Sequence, residues 1–216
     1  MTTTPNLSSS FDRNAYDGFI FDCDGTVADS MPLHYQAWRE TLDAKLGRPS
    51  DFTEAVFYHF GGMPARKIVE QLNHDYGYQL PPEQTEHDKE MRFLELLPGI
   101  GPVPEVVEAM RGLGLNAKIA VASGGLTEIV RATLAHIGLN VGPKEMVKFL
   151  VGSDQVARGK PHPDLFLHTA ELLGAKPERC LVFEDAEPGF LAAKAAGMAY
   201  IDVRPFRATL SAAARY

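Results

Sequence analysis

Residues 18–26 read Gly18-Phe19-Ile20-Phe21-Asp22-Cys23-Asp24-Gly25-Thr26. The first four include no polar residue and do not alternate, which suits a strand buried on both faces. The chain then delivers two carboxylates with one residue between them. In extended chain such residues share a face about 6.6–7 Å apart, so Asp22 and Asp24 can flank one reacting atom while Cys23 turns into the packing. Gly25 and Thr26 let the chain swing sharply out of the strand. A turn with capping aspartates is the plain alternative. A calcium loop also begins D-x-D-G, but its later ligands are missing here.

Similar runs recur along the chain. Residues 117–122 (AKIAVA) end at Ser123, 149–152 (FLVG) near Ser153 and Asp154, 180–183 (CLVF) at Glu184 and Asp185, and 199–203 (AYIDV) complete the series. Helical patterns lie between them at 127–136, 163–173 and 188–196, and each stops at a glycine: Gly138, Gly174 and Gly197. Strand and helix in alternation predict an α/β fold with a doubly wound, Rossmann-like parallel sheet. Ligands of such sheets sit outside the carboxyl ends of the strands. Four of the five runs deliver polar or acidic residues at that end, so this rim is the predicted site.

Residues 30–97 break the pattern. They show helical periodicity, Gly61-Gly62 and Pro81-Pro82 interruptions, and no run of comparable strand quality. The stretch also exceeds an ordinary strand–helix connection. It is expected to form a small α-helical cap inserted after the first strand. Residues 15–29 and 98–216 are then the α/β core, and the Thr/Ser-rich residues 1–14 a mobile tail.

Composition narrows the function classes. Of 216 residues, 45% are hydrophobic and 23% charged, which excludes disorder, collagen-like repeats and disulfide scaffolds. Lys and Arg number 21 against 28 Asp and Glu, a net charge of −7. There is no electrostatic footprint for nucleic acid or an anionic membrane. A small phosphorylated metabolite is compatible with this balance if the cations that hold it are local. Cys23 and Cys180 are too few for a disulfide framework and are expected to be reduced and buried. The first residues lack the basic region and apolar stretch of a signal peptide, and no run approaches the roughly 18 apolar residues of a membrane span. The expected setting is the cytoplasm. Oligomeric state is left open, with a monomer as the default.

Each rim residue suits a chemical role. A carboxylate can attack a phosphoryl group and carry it as an aspartyl phosphate. A second carboxylate can protonate the leaving oxygen and then deprotonate water, a role worth roughly 10²–10⁴-fold. Two carboxylates beside a dianionic phosphate need positive charge between them, and a hard dication such as Mg²⁺ is the expected solution. Adjacent Glu184 and Asp185 at the end of an apolar strand are costly if idle. Ser123 offers a hydroxyl and Gly124 an unobstructed N–H to phosphoryl oxygens, and Ser123 also suits the cap of the next helix. Lys160, a lone lysine, reads on its own as solvated charge.

Four segments, in order, resemble the motifs of the haloacid dehalogenase-like (HAD) superfamily. They are DCDGT at 22–26, Ser123 after AVA, Gly159-Lys160-Pro161-His162-Pro163-Asp164, and Phe183-Glu184-Asp185-Ala186-Glu187-Pro188-Gly189 with its trailing AAKAAGM. The match covers residues 17–203. It implies a Mg²⁺-dependent phosphomonoester hydrolase with Asp22 as nucleophile and Asp24 as acid and base. Ser123, Gly124 and Lys160 would then hold the phosphoryl group. The metal ligands implied are Asp22, the Asp24 backbone carbonyl and Asp185, with Glu184 as accessory.

Within the superfamily, His34-Tyr35-Gln36-Ala37-Trp38 resembles the sugar-phosphate branch near β-phosphoglucomutase and fructose-1-phosphate phosphatases. Ser30 is placed to cap this helix, with Pro32 in its first turn. His34 and Trp38 share a helix face; His34 is expected to meet Asp24 or substrate as the cap closes, or to pack at the hinge, and Trp38 to be core. Gly61-Gly62-Met63-Pro64-Ala65-Arg66-Lys67 resembles the cap's specificity loop. Arg66 and Lys67 are therefore candidates for substrate hydroxyls or a second anion, with solvated charge as the alternative. Two departures from the mutases stand out: Ala65 replaces an arginine three residues after the loop glycine, and Leu126 replaces a lysine three residues after the serine. A mutase must hold a bisphosphate by its far phosphate while it turns, and those cations do the holding. Hydrolysis of a small sugar phosphate is the expectation, with a phosphosugar mutase or a non-catalytic binding protein on the same fold as alternatives. Dehalogenation disagrees with the presence of Asp24, and phosphonate cleavage needs a cap lysine that Lys67 matches poorly.

Overall fold

The computed structural model describes residues 6–61 and 63–207. Its sheet has five parallel strands in the order β3-β2-β1-β4-β5. These are β1 (Gly18–Phe21), β2 (Ile119–Ala122), β3 (Phe149–Val151), β4 (Cys180–Glu184) and β5 (Ala199–Asp202). Each predicted run matches one of them, with β4 running one residue further, to Glu184. The chain winds from β1 out to β3 on one side, then returns to place β4 and β5 on the other. The order therefore reverses between β1 and β4, the position at which such sheets bind ligands. Phe21 lies opposite Phe183 in the register, and their rings stack at 4.2 Å. Asp22 and Glu184 consequently emerge side by side.

Alternate strand residues feed two cores. Phe19, Phe21, Val121 and Phe183 pack with α5 (Pro104–Leu113) and α6 (Thr127–His136). Ile20, Ala120, Ala122 and Val182 pack with α7 (Asp164–Leu173) and α8 (Glu187–Ala195) on the opposite face. Burial on both faces explains why the strands carry no polar alternation. Between β1 and α5 stand α1 (Met31–Leu46), α2 (Glu54–His59), α3 (Ala65–Tyr76) and α4 (Pro82–Leu96). α1 and α3 pack on α4. This helical insertion has an apolar cluster of its own, including Trp38, Leu42, Phe52, Phe57 and Leu72. Trp38 is core, as expected.

Residues 6–14 correct the expectation of a mobile tail. Leu7 is 2% exposed and belongs to the core beside α5. The Phe11 ring meets Phe183 edge-on at 5.3 Å, and Arg13 Nη2 donates to the Leu113 carbonyl at 3.0 Å. Two apolar side chains spaced among serines are enough to dock the segment, which average composition hides. Residues 1–5 of the expected tail, and 208–216 of the expected core, lie outside the described residues. Both cysteines are free and buried. No helix among the described residues is long and apolar enough to cross a membrane.

Candidate active site

The Asp22 N–H donates to the Phe183 carbonyl at 2.9 Å, extending the β1–β4 ladder by one residue. Asp22, Glu184 and Asp185 thereby bring carboxylate oxygens within 4.8 Å of one another. Glycines make the space. Gly25 turns with φ +79°, and a Cβ there would lie 2.3 Å from Asp185 Oδ2. A Cβ on Gly189, in the first turn of α8, would lie 2.1 Å from Glu184 Cδ.

Lys160, from the loop between β3 and α7, is buried and donates at 2.6 Å to both Asp22 Oδ1 and Glu184 Oε2. The peptide bond to Pro161 is cis. Glu184 Oε1 accepts the N–H groups of Asp185 and Ala186 at 3.3 and 3.2 Å. Asp185 accepts from Thr26 Oγ1 at 3.1 Å and Arg207 Nη2 at 3.2 Å. Arg207 Nη1 also donates to the Gly25 carbonyl at 2.5 Å, tying the turn after β1 to the segment after β5.

The electrostatics show what the cluster lacks. Burial works against the Lys160 charge, but Asp22 and Glu184 outweigh it and its pKa rises. Burial and then Glu184 push Asp22 well above the usual carboxylate range despite Lys160. Burial raises Asp185 to about 6 against the pull of Arg207. Three carboxylates, Asp22 and Glu184 buried and Asp185 partly so, exceed the positive charge that Lys160 and Arg207 provide, and every ligand atom is an oxygen. Such a donor set fits a hard divalent cation.

Asp24 is held differently. Its Oδ1 accepts from Ser30 Oγ at 2.6 Å and lies 3.0 Å from His34 Nε2, while Oδ2 accepts from Ser123 Oγ at 3.3 Å. Burial opposes its charge, but His34, Ser30 and Lys89 outweigh it and hold the carboxyl far below its ordinary range. Lys89 Nζ sits 2.9 Å from His34 Nδ1. An ammonium only donates, so Nδ1 accepts and Nε2 carries the proton offered to Asp24. The His34 ring stacks on Phe93 at 3.7 Å, fixing its plane.

One cavity takes in Asp22, Asp24, Ser123, Gly124, Lys160, Glu184 and Asp185 on the sheet side and His34, Lys89 and Glu90 on the helical side. The structure thus brings together Asp22, Asp24, Ser123, Gly124, Lys160, Glu184, Asp185 and His34, while Asp154, expected at the same rim, is not on the cavity wall. It does not bring Arg66 or Lys67 to the cavity wall. Arg66 Nη2 pairs with Glu83 at 2.8 Å and Lys67 Nζ with Glu70 at 2.7 Å, and both side chains are about half exposed or more. Gly62, from which that loop was counted, lies outside the described residues. Ser30 precedes α1 without the expected side-chain cap, because its hydroxyl is spent on Asp24. Ser123 likewise does not cap α6; Asp154 does, accepting the Thr127 N–H at 2.7 Å. Sequence reasoning missed Lys89, Glu90 and Arg207. Lys89 had a signal: with Thr85 and Phe93 it lies at four-residue spacing on the buried face of α4. Arg207 had none.

These features form a carboxylate-lined rim at the switch point of a doubly wound sheet, the place where such sheets bind ligands. The model of the haloacid dehalogenase-like hydrolases matches residues 16–197. The fructose-1-phosphate phosphatase YqaB of Escherichia coli is 38% identical over 88% of this chain and 97% of its own length. The β-phosphoglucomutase of Bacillus subtilis is 28% identical over 85% of this chain and 81% of its own. The crystal structure of CbbY from Rhodobacter sphaeroides in complex with phosphate superposes with a TM-score of 0.77 at 26% identity, covering 87% of this chain and 85% of that one. The chain belongs to the haloacid dehalogenase-like hydrolases, as an enzyme of their phosphatase kind.

Proposed function

We propose that the protein is a Mg²⁺-dependent phosphomonoester hydrolase of a small sugar phosphate or similar metabolite, with the helical insertion as its cap. The observation that carries this reading is the buried Lys160 bound at 2.6 Å to both Asp22 and Glu184, which sets a cation beside the nucleophile where a phosphoryl oxygen can meet it. Asp22 attacks phosphorus as the bond to the leaving oxygen breaks, forming an aspartyl phosphate. Asp24 donates its proton to the departing alkoxide; the dianion brought beside it raises its proton affinity for this step. Asp24 then takes a proton from water, whose oxygen displaces Asp22 and releases phosphate. Ser123, Gly124 and Lys160 hold the phosphoryl oxygens. Asp22, Glu184, Asp185 and the Asp24 carbonyl would hold Mg²⁺, whose chemistry is to neutralise phosphoryl charge.

Ala65 and Leu126 support hydrolysis over mutase action. Both line the cavity, so the two positions where a mutase resemblance calls for cations offer apolar surface. The test is phosphate release from sugar phosphates with Mg²⁺ and with EDTA. Release that EDTA abolishes, and that Asp22→Asn lowers by at least about 10⁴-fold, is expected. Turnover by Asp22→Asn near the wild-type rate would end the nucleophile assignment. Bisphosphate-dependent isomerisation with little free phosphate would favour the mutase.

A further inference from the structure

We propose that Glu90, with Glu86 one turn earlier on α4, accepts hydroxyl groups of the leaving group. The site is thereby built for monophosphates of uncharged sugars or polyols rather than for substrates with a second anionic group. The proposal rests on the phosphatase reading above and adds to it the chemical class of the group released.

Glu90 is 8% exposed and lines the cavity. Its Oε1 accepts from Lys89 Nζ at 2.9 Å, but Oε2 is buried with no hydrogen-bond partner. Buried polar atoms are as a rule bonded, so an unsatisfied acceptor calls for a donor. Five buried side-chain atoms among the described residues lack a partner, and Glu90 Oε2 is the one that belongs to a cavity-lining residue. An ionised carboxylate only accepts, so the partner that fits is a donor such as a hydroxyl.

Charge points the same way. Apart from His34, the charged residues lining the helical side are Glu86, Lys89 and Glu90. Lys89 is 4% exposed and committed to His34 and Glu90. Glu86 accepts the Arg66 backbone N–H, while the Arg66 side chain turns to Glu83. A second phosphate or a carboxylate arriving here would meet two carboxylates and no uncommitted cation among the described residues. The apolar Met31, Phe60 and Ile68 beside them suit the carbon faces of a sugar.

The test compares kcat/KM for a hexose monophosphate, the matching hexose bisphosphate, a phosphorylated hydroxy acid and phenyl phosphate. Wild type should prefer the hexose monophosphate to both doubly anionic compounds by at least about 10-fold. Glu90→Gln should lower the ratio of hexose monophosphate to phenyl phosphate by roughly 10- to 100-fold, the size of a hydrogen bond to a charged group. It should also narrow the discrimination against the bisphosphate. Glu86→Gln should act in the same direction, and Glu90→Asp should recover part of the ratio. If Glu90→Gln lowered all substrates equally, or wild type took the bisphosphate as readily as the monophosphate, the proposal would be overturned with the phosphatase reading intact. If no compound released phosphate, that reading would fall and take the proposal with it.

Discussion

On the sheet side of the cavity the working groups sit at or just past a strand end, or in the loop that follows one; on the helical side Lys89 and Glu90 sit in the middle of α4. The first arrangement is placed by backbone register: Phe21 opposite Phe183 puts Asp22 beside Glu184 whatever the surrounding side chains do. The second is placed by side-chain packing, with Lys89 5.6 Å from the Trp38 ring and 5.4 Å from the Phe93 ring. Register tolerates little displacement. Packing tolerates repacking if charge stays balanced.

That contrast can be broken from either side. Gly189→Ala should be the severest, because the new Cβ overlaps Glu184 and a displacement of about 1 Å costs roughly 10²-fold in kcat/KM. Circular dichroism should show the fold retained; wild-type kinetics would mean that the rim tolerates a displaced Glu184 side chain. Lys89→Met should cost about 10-fold in turnover by loosening His34. It should also cost about 3–5 kcal/mol in denaturant unfolding, because Glu90 is left buried and uncompensated. Adding Glu90→Leu should recover stability without recovering activity.

A smaller effect separates the carboxylate trio by pH. Asp185 has its folded value raised from 3.8 to about 6. Its contribution to stability is therefore fully present below about pH 4 and lost as pH rises through 6. Mg²⁺ should accordingly raise the Tm more at pH 7.5 than at pH 5, by a few degrees at roughly 2–4 °C per kcal/mol. Equal shifts in differential scanning fluorimetry would show that the ion does not relieve this carboxylate. Smallest of all, Arg66→Ala and Lys67→Ala should each change kcat/KM by less than about twofold, since both pairs are exposed. A large loss from either would restore the loop to the substrate site.

The same contrast explains what is legible in the sequence. Asp22, Ser123, Glu184 and Asp185 are readable because an apolar run ends beside each of them, and chain position then implies place in the fold. Lys160 is readable only through its motif context. The helical wall is not readable in this way. Arg66 and Lys67 have the right charge but face Glu83 and Glu70, and nothing local in their sequence separates that outcome from an inward one. Ser30 looks like a helix cap, and only the turn after β1 brings its hydroxyl to Asp24. Leu7 and Phe11 are too sparse to register as a docking segment until the groove between β1, β4 and α5 exists.

The bond from Arg207 to Gly25 spans 182 residues, that from Thr26 to Asp185 spans 159, and that from Lys160 to Asp22 spans 138. A growing chain makes its N-terminal part first. The ribosome therefore releases Asp22 long before Lys160 and the Glu184-Asp185 pair that surround it. An N-terminal fragment ending at residue 150 would carry Asp22 and Asp24 with neither Lys160 nor the Glu184-Asp185 pair. The full carboxylate cluster can therefore assemble only late in translation, once the fourth strand is available to pair with the first.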